Sequence, residues 1–256
     1  MHWSELRARC RLEEDAAILA LNKPAGISVT GERHDTDIVR LAEEDGEKLY
    51  PVHRIDKVTS GLVLLAKELT AHGELTRQFN KRTAAKRYLA VTASTGLPDH
   101  GVIELPLSVG RKNRVRIAAP RESIVRTDDG PARAEWSVEQ RDVLAGKNYP
   151  SRTEFDVILR GDAHTVLAVR PITGRRHQIR VHLAWIGHPV AGDPLFDRSD
   201  TYPRTHLHSW RLRLDAPWRD PAELDLIAPP GPDFWTAGDT VLTDDPTTLL
   251  DHPARL

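Results

Sequence analysis

The apolar residues of this chain come in short bursts, and that limits what it can fold into. The longest runs, near residues 16–21 and 62–66, suit a strand and are far too short to span a membrane. Aromatic residues are 5% of the 256 and hydrophobic residues 39%, so the core has to be aliphatic. The start, Met1-His2-Trp3-Ser4-Glu5, is not followed by a secretory apolar region. Cys10 is the single cysteine, which excludes an intrachain disulfide and a cysteine-built zinc site. A cytoplasmic protein is expected.

Between the bursts the pattern alternates between strand and helix. Residues 17–21 read as a buried strand, and Asn22-Lys23-Pro24-Ala25-Gly26 as a turn punctuated by Pro and Gly. Residues 37–42 read as a short helix capped by Thr36 or Asp37. A strand over 61–67, a helix over 70–81 with Leu75 and Phe79 on one face, and a strand over 87–93 follow. Residues 153–159 and 165–169 alternate like a hairpin joined at Gly161 and Asp162. Residues 176–186 predict a helix ended by Gly187, and 204–214 a last strand. Strands broken by unevenly placed helices predict an α+β fold with a mixed sheet.

Charge is unevenly spread. Residues 216–256 hold two Arg and eight Asp or Glu, so residues 1–215 carry about +5 and the tail about −6. Within the body, residues 110–126 hold Arg111, Lys112, Arg114, Arg116, Arg121 and Arg126 against the single acid Glu122. Arg114-Val115-Arg116-Ile117 alternates as a strand would, with the cations on one side. Such a ribbon is either a solvated face or a grip on phosphates, and the basic body favours the grip.

His53-Arg54-Ile55-Asp56-Lys57-Val58-Thr59-Ser60-Gly61 leads straight into the 62–66 run. Asp and Thr-Ser-Gly before a strand are ordinary turn chemistry. They also place an acid between Arg54 and Lys57, which favour its ionised form. An ionised aspartate serves as nucleophile, base or metal ligand.

Further segments recur in a fixed order. They are Asn22-Lys23-Pro24-Ala25-Gly26, His53-Arg54-Ile55-Asp56 with Thr59-Ser60-Gly61, and Lys86-Arg87-Tyr88-Leu89-Ala90. After them come residues 173–183, from Thr173-Gly174-Arg175-Arg176-His177-Gln178 to Arg180-Val181-His182-Leu183, and last Gly187-His188-Pro189-Val190 with Gly192-Asp193. In this order and spacing they resemble the RluA-type pseudouridine synthase family, from about residue 15 to about residue 215. The resemblance implies an enzyme that isomerises uridine to pseudouridine in structured RNA, ribosomal or transfer. It implies a mixed, largely antiparallel sheet in two halves with flanking helices and a catalytic cleft between them.

It also implies roles. Asp56 matches the family's nucleophile, Tyr88 its active-site tyrosine, and Arg180 the arginine paired with that aspartate. Arg54 matches an arginine placed to fill the gap left by a flipped nucleotide. His53, Lys86, Arg175 and His177, beside these segments, join Arg111, Lys112, Arg114 and Arg116 as expected RNA contacts. The chemistry agrees. The N1–C1′ bond breaks, the base turns and C5 joins C1′, with no redox change, so no cofactor is required. A carboxylate can add to the sugar or base, or abstract a sugar proton. The target atoms are inaccessible in a stacked helix, so the nucleotide has to flip out.

Lys23-Pro24 lies too near the start to leave room for the small RNA-binding module many relatives carry. Residues 1–215 are therefore expected to form the catalytic domain. The 216–256 extension is expected to dock in its first part, with little for residues 237–256 to pack against. A monomer is expected. Three rival readings are weaker. His177 and His182 are five apart and do not share a helix face, and His206 and His208 lack a third ligand, so no metal site is expected. An aspartyl-phosphate enzyme needs further acidic ligands near Asp56. A non-catalytic RNA-binding protein of the same fold would not need Asp56, Tyr88 and Arg180 together.

Overall fold

A computed structural model describes residues 2–31, 36–130, 132–197, 199 and 202–250, the side chain of Lys112 excepted. The chain divides into two compact units, Met1–Tyr88 with Leu207–Gly231, and Leu89–His206 with Pro232–Leu256. The chain passes from the first to the second within the strand Ala85–Thr92.

The first unit is built on Ser60–Ala66, buried along its whole length. Its neighbours explain why. Ile18–Lys23 pairs with it antiparallel from Ile18↔Ala66 to Lys23↔Gly61, and Leu207–Asp215 pairs parallel at His208↔Ser60 and Ser209↔Gly61. Both faces of the strand are covered. Leu62, Leu64 and Ala66 join a cluster with Ile18, Ala20, Leu75 and Leu212. Val63 and Leu65 join another with Trp3, Leu6, Leu19, Leu21 and Ile38. An unbroken aliphatic run is the signature of a strand covered on both faces, because successive side chains point opposite ways.

Helices supply the cover. Leu69–Lys81 buries Ala71 and Leu75, with Phe79 packed beside them. It ends where Arg82 turns left-handed at φ 62°. Ile38–Glu44 starts at Asp37, whose carboxylate accepts the Arg40 amide at 3.0 Å. Trp3–Cys10 buries Trp3 and Leu6.

Two expectations fail in the tail. Leu207–Asp215 is not the last strand, because Glu223–Ile227 pairs antiparallel beside it, Leu214 opposite Leu224 and Leu212 opposite Leu226. Leu224, Leu226 and Ala228 are core residues. The acids of this strand are tied to its neighbour. Arg211 grips Asp225, Nε to Oδ1 at 2.7 Å, and Arg213 pairs with Glu223. Cross-strand ion pairs of this kind hold register. Further on, Ala237 is buried, and Thr236–Ala237 pairs with Thr240–Val241, so packing extends past the point expected.

In the second unit Thr165–Pro171, Arg152–Arg160, His100–Glu104, Arg133–Ser137 and Val125–Asp128 lie side by side in that order. All neighbours are antiparallel except His100–Glu104 with Arg133–Ser137. Phe155 fills the space a side chain at Gly101 would need, its ring 2.1 Å from where a Cβ would stand. A smaller antiparallel sheet joins Asn148–Tyr149, Leu107–Val109 and Val115–Ile117.

The helix Gln178–Trp185 is shorter than the sequence predicts. The residues before it form a closed turn instead. The Gln178 side chain accepts from the Arg175 amide at 3.0 Å and from the Thr173 hydroxyl at 2.6 Å, and His177 is left-handed at φ 54°. No helix among the described residues is long and apolar enough to cross a membrane. The fold class is α+β, with mostly antiparallel pairing in each unit.

Candidate active site

Asp56 sits on a loop anchored on both sides. Val52 belongs to one core cluster of the first unit and Ile55 to the other. Each buried side chain of that size contributes about 1.5–3 kcal/mol. The Asp56 carbonyl accepts the Thr59 amide at 3.0 Å, and the Lys57 carbonyl accepts the Gly26 amide at 2.8 Å. Lys23 completes the clamp. It is fully buried, and its Nζ donates to the carbonyls of Pro24 at 2.8 Å, Ile27 at 2.7 Å and Lys57 at 3.3 Å. An ammonium out of water is costly unless its donors are used, and here they tie the 22–26 turn to the aspartate loop. Sequence reading found that turn but not the role of its lysine. The available signal was a cation ending an otherwise apolar strand.

Tyr88 stands beside this loop. Its ring packs on the cluster that contains Ile55. Burial pushes its phenol up to about 12, the hydrogen bond to Ser209 opposes that, and the Asp56 charge adds to it. The phenol is therefore protonated at neutral pH, and the carboxylate lies within electrostatic reach of it. No local pattern in the sequence marks Ser209. It is buried and held close to Gly61, where a Cβ would stand 2.2 Å from the Ser209 carbonyl oxygen. Gly61, at φ 104°, is the residue type that permits this approach. Next to it, Ser60 Oγ donates to His208 Nδ1 at 2.8 Å, because His208 Nε2 donates to the Ala228 carbonyl at 2.8 Å.

The flanking cations and histidine differ in use. His53 Nε2 accepts the Leu64 amide at 3.0 Å, and its ring stacks on Phe79 at 4.7 Å. Burial, with Lys86 nearby, holds its pKa down to about 3, so the ring is neutral and occupied within the protein. Lys86 is half-buried, and burial lowers its pKa too. Arg54 is exposed, with Nη1 3.9 Å from where a Cβ on Gly31 would stand.

In the second unit Arg180 is 2% exposed and its partner Asp193 is fully buried. Nε reaches Oδ2 at 2.6 Å and Nη2 reaches Oδ1 at 2.7 Å, while the guanidinium lies over Phe196 at 5.6 Å. Asp193 Oδ1 also accepts the amides of Leu195 at 2.9 Å and Phe196 at 3.3 Å. A two-pronged grip on a planar guanidinium fixes its orientation. His182, on the same helix, accepts at Nδ1 from Thr153 at 2.9 Å and donates from Nε2 to the Leu105 carbonyl at 3.0 Å. His177 packs edge-on to Phe196.

The basic 110–126 stretch divides. Arg111, Arg114 and Arg116 are exposed, while Val115 and Ile117 between them point inward. The side chain of Lys112 lies outside the described residues. Arg121 is committed to the protein, donating to the carbonyls of Trp185 at 3.1 Å and Ala184 at 3.0 Å at the end of the Gln178–Trp185 helix. Arg126 pairs with Asp128 at 2.8 Å and covers Trp136. Arg175 lies over Tyr149 at 5.3 Å. No group of three or more His, Cys, Asp or Glu among the described residues is placed to hold a metal.

The sequence model for RNA pseudouridylate synthase matches residues 17–185, a span that includes Asp56, Tyr88 and Arg180. The chain belongs to the RNA pseudouridylate synthase family. Within this family, it is 34% identical over 222 residues to the dual-specificity RNA pseudouridine synthase RluA of Vibrio vulnificus, covering 84% of this chain and 79% of that protein. It is 33% identical to the ribosomal large subunit pseudouridine synthase D of Nitrosomonas europaea over 85% of this chain. It spans 63% of that longer relative. Among solved structures, the human RNA pseudouridylate synthase domain containing 4 superposes with a TM-score of 0.67 at 26% identity, covering 88% of this chain and 89% of that one. The α+β fold described above is thus a pseudouridine synthase fold.

Proposed function

We propose that this chain isomerises uridine to pseudouridine in structured RNA, ribosomal or transfer, with Asp56 as the essential carboxylate. The observation that carries this reading is a protonated, partly buried tyrosine within electrostatic reach of Asp56 in one compact unit, inside a family of pseudouridine synthases. The reaction is an isomerisation. C1′ leaves N1 and joins C5, the C5 hydrogen is lost as a proton, and N1 gains one. Asp56 adds to the sugar or base, or abstracts a sugar proton, and holds the intermediate. Tyr88 lies flat against the detached base and keeps a proton to donate. Arg180 is assigned to the charge of the aspartate, supported by a guanidinium already desolvated and oriented by Asp193.

The target nucleotide flips out, and the exposed side chain of Arg54, two residues from Asp56, fills the gap. Arg111, Arg114 and Arg116 hold phosphates. His53 supports the loop that carries Asp56, while Lys86, Arg175 and His177 remain assigned to RNA. A cytoplasmic monomer is the working form.

The test is Asp56→Asn on RNA carrying 5-tritiated uridine. Tritium release should fall below about one per cent of wild type, because loss of such a group typically costs more than that. RNA affinity should stay nearly unchanged. Release above that level removes Asp56 from its assigned role.

A further inference from the structure

Arg180 is held by Asp193, and Asp193 sits on a turn. The turn is internally closed, with Gly192 N donating to Asp197 Oδ2 at 2.8 Å and Asp197 N to the Asp193 carbonyl at 2.8 Å. It rests directly on residues 204–206. A Cβ on Gly192 would stand 2.0 Å from the Arg204 carbonyl oxygen, Thr205 Oγ1 donates to the Gly192 carbonyl at 2.9 Å, and His206 N donates to the Ala191 carbonyl at 2.9 Å. Residues 204–206 are covered in turn by the segment after Gly231. Arg204 pairs with Asp233 and its guanidinium lies over Phe234 at 5.7 Å. His206 Nε2 donates to the Thr236 carbonyl at 3.1 Å, and its ring meets Phe234 at 6.0 Å. Phe234 is fully buried, and Trp235 and Ala237 nearly so.

We propose that residues 232–237 brace Arg180 through the Gly192–Asp193 turn, with Phe234 and Asp233 as positioning residues. This rests on the assignment of Arg180 to the isomerisation. The stack has three layers: the brace, then residues 204–206, then the Gly192–Asp193 turn with its guanidinium. Close packing transmits a displacement in the first layer to the third. The contacts of the brace run to Arg204 and His206, so its effect on Arg180 is one of geometry.

Phe234→Ala in the full chain tests this. The kcat on RNA should fall about tenfold, since small misplacements far from the chemistry have effects of that order or larger, with KM little changed. The Arg180 Nε–H resonance in a 15N spectrum should shift. Phe234→Leu should recover most of the rate. In an Asp193→Asn background, Phe234→Ala should add less than about a twofold loss, because both changes act on one chain of contacts. A folded Phe234→Ala protein with kcat within about twofold of wild type overturns the brace, as does a full multiplicative loss in the Asp193→Asn background. If Phe234→Ala does not fold, Asp233→Asn carries the same measurements, and an unmoved Arg180 signal with an unchanged rate overturns the brace. If the wild type releases no tritium, the pseudouridine synthase reading fails. The Arg180 resonance then decides the brace alone.

Discussion

At Gly61 a single hydrogen in place of a side chain lets the Ser60–Ala66 and Leu207–Asp215 strands meet. Gly61→Ala puts a Cβ 2.2 Å from the Ser209 carbonyl oxygen at a φ of 104°, and backbone on both sides leaves nothing flexible to yield. The expected result is a loss of at least about 2 kcal/mol in urea unfolding. Activity should fall further than stability, because Ser209 also holds Tyr88. An unfolding midpoint equal to wild type would refute the close approach. The sequence reaches part of this site and no more. Asp56 and Gly61 lie within one short polar segment, so their shared loop is legible. Lys23 reaches its Lys57 partner across 34 residues, and His208 and Ser60 are 148 apart, so neither link leaves a local pattern. Ser209 was invisible for the same reason: only strand pairing brings it to Tyr88.

At the scale of elements, periodicity served well where one face decides the structure. The strand at 115–117 and the helix with Leu75 and Phe79 follow their patterns. It failed where side chains override it, as at Arg176 and His177, where Gln178 closes a turn and delays the helix. It also could not say which arginines of the ribbon are already in use. The structure separates them, and so does an experiment. Neutralising Arg111, Arg114 and Arg116 together should weaken RNA binding and flatten the slope of log K against log salt by about 2–3, as fewer counterions are released. Arg121→Ala should leave that slope unchanged and instead cost stability, about 1 kcal/mol, by uncovering the last carbonyls of the Gln178–Trp185 helix. Equal salt slopes for wild type and triple variant would mean that the three charges are only a solvated face.

The whole molecule should lose stability in mild acid. Burial holds the pKa of His182 down to about 4, against about 6.5 in the unfolded chain. Below that unfolded value the unfolded state takes up a proton that the folded state refuses. The contribution of His182 is therefore complete above about pH 6.5 and falls by about 1.4 kcal/mol per pH unit down to about 4. His53, held down to about 3, acts in the same direction. Urea midpoints at pH 7.5 and pH 5 measure the drop, and His182→Gln should reduce it; an unreduced drop would place the titration elsewhere. The first unit takes Met1–Tyr88 and then waits for Leu207–Gly231, while the second waits for Pro232 onward. During synthesis the Ser60–Ala66 strand emerges long before the partner that covers its parallel edge. At ribosomal speeds the intervening residues take on the order of ten seconds. For that interval the nascent chain carries the unpaired edge of a strand that is aliphatic from Leu62 to Ala66, which makes it a client for chaperones until Leu207–Asp215 has been made.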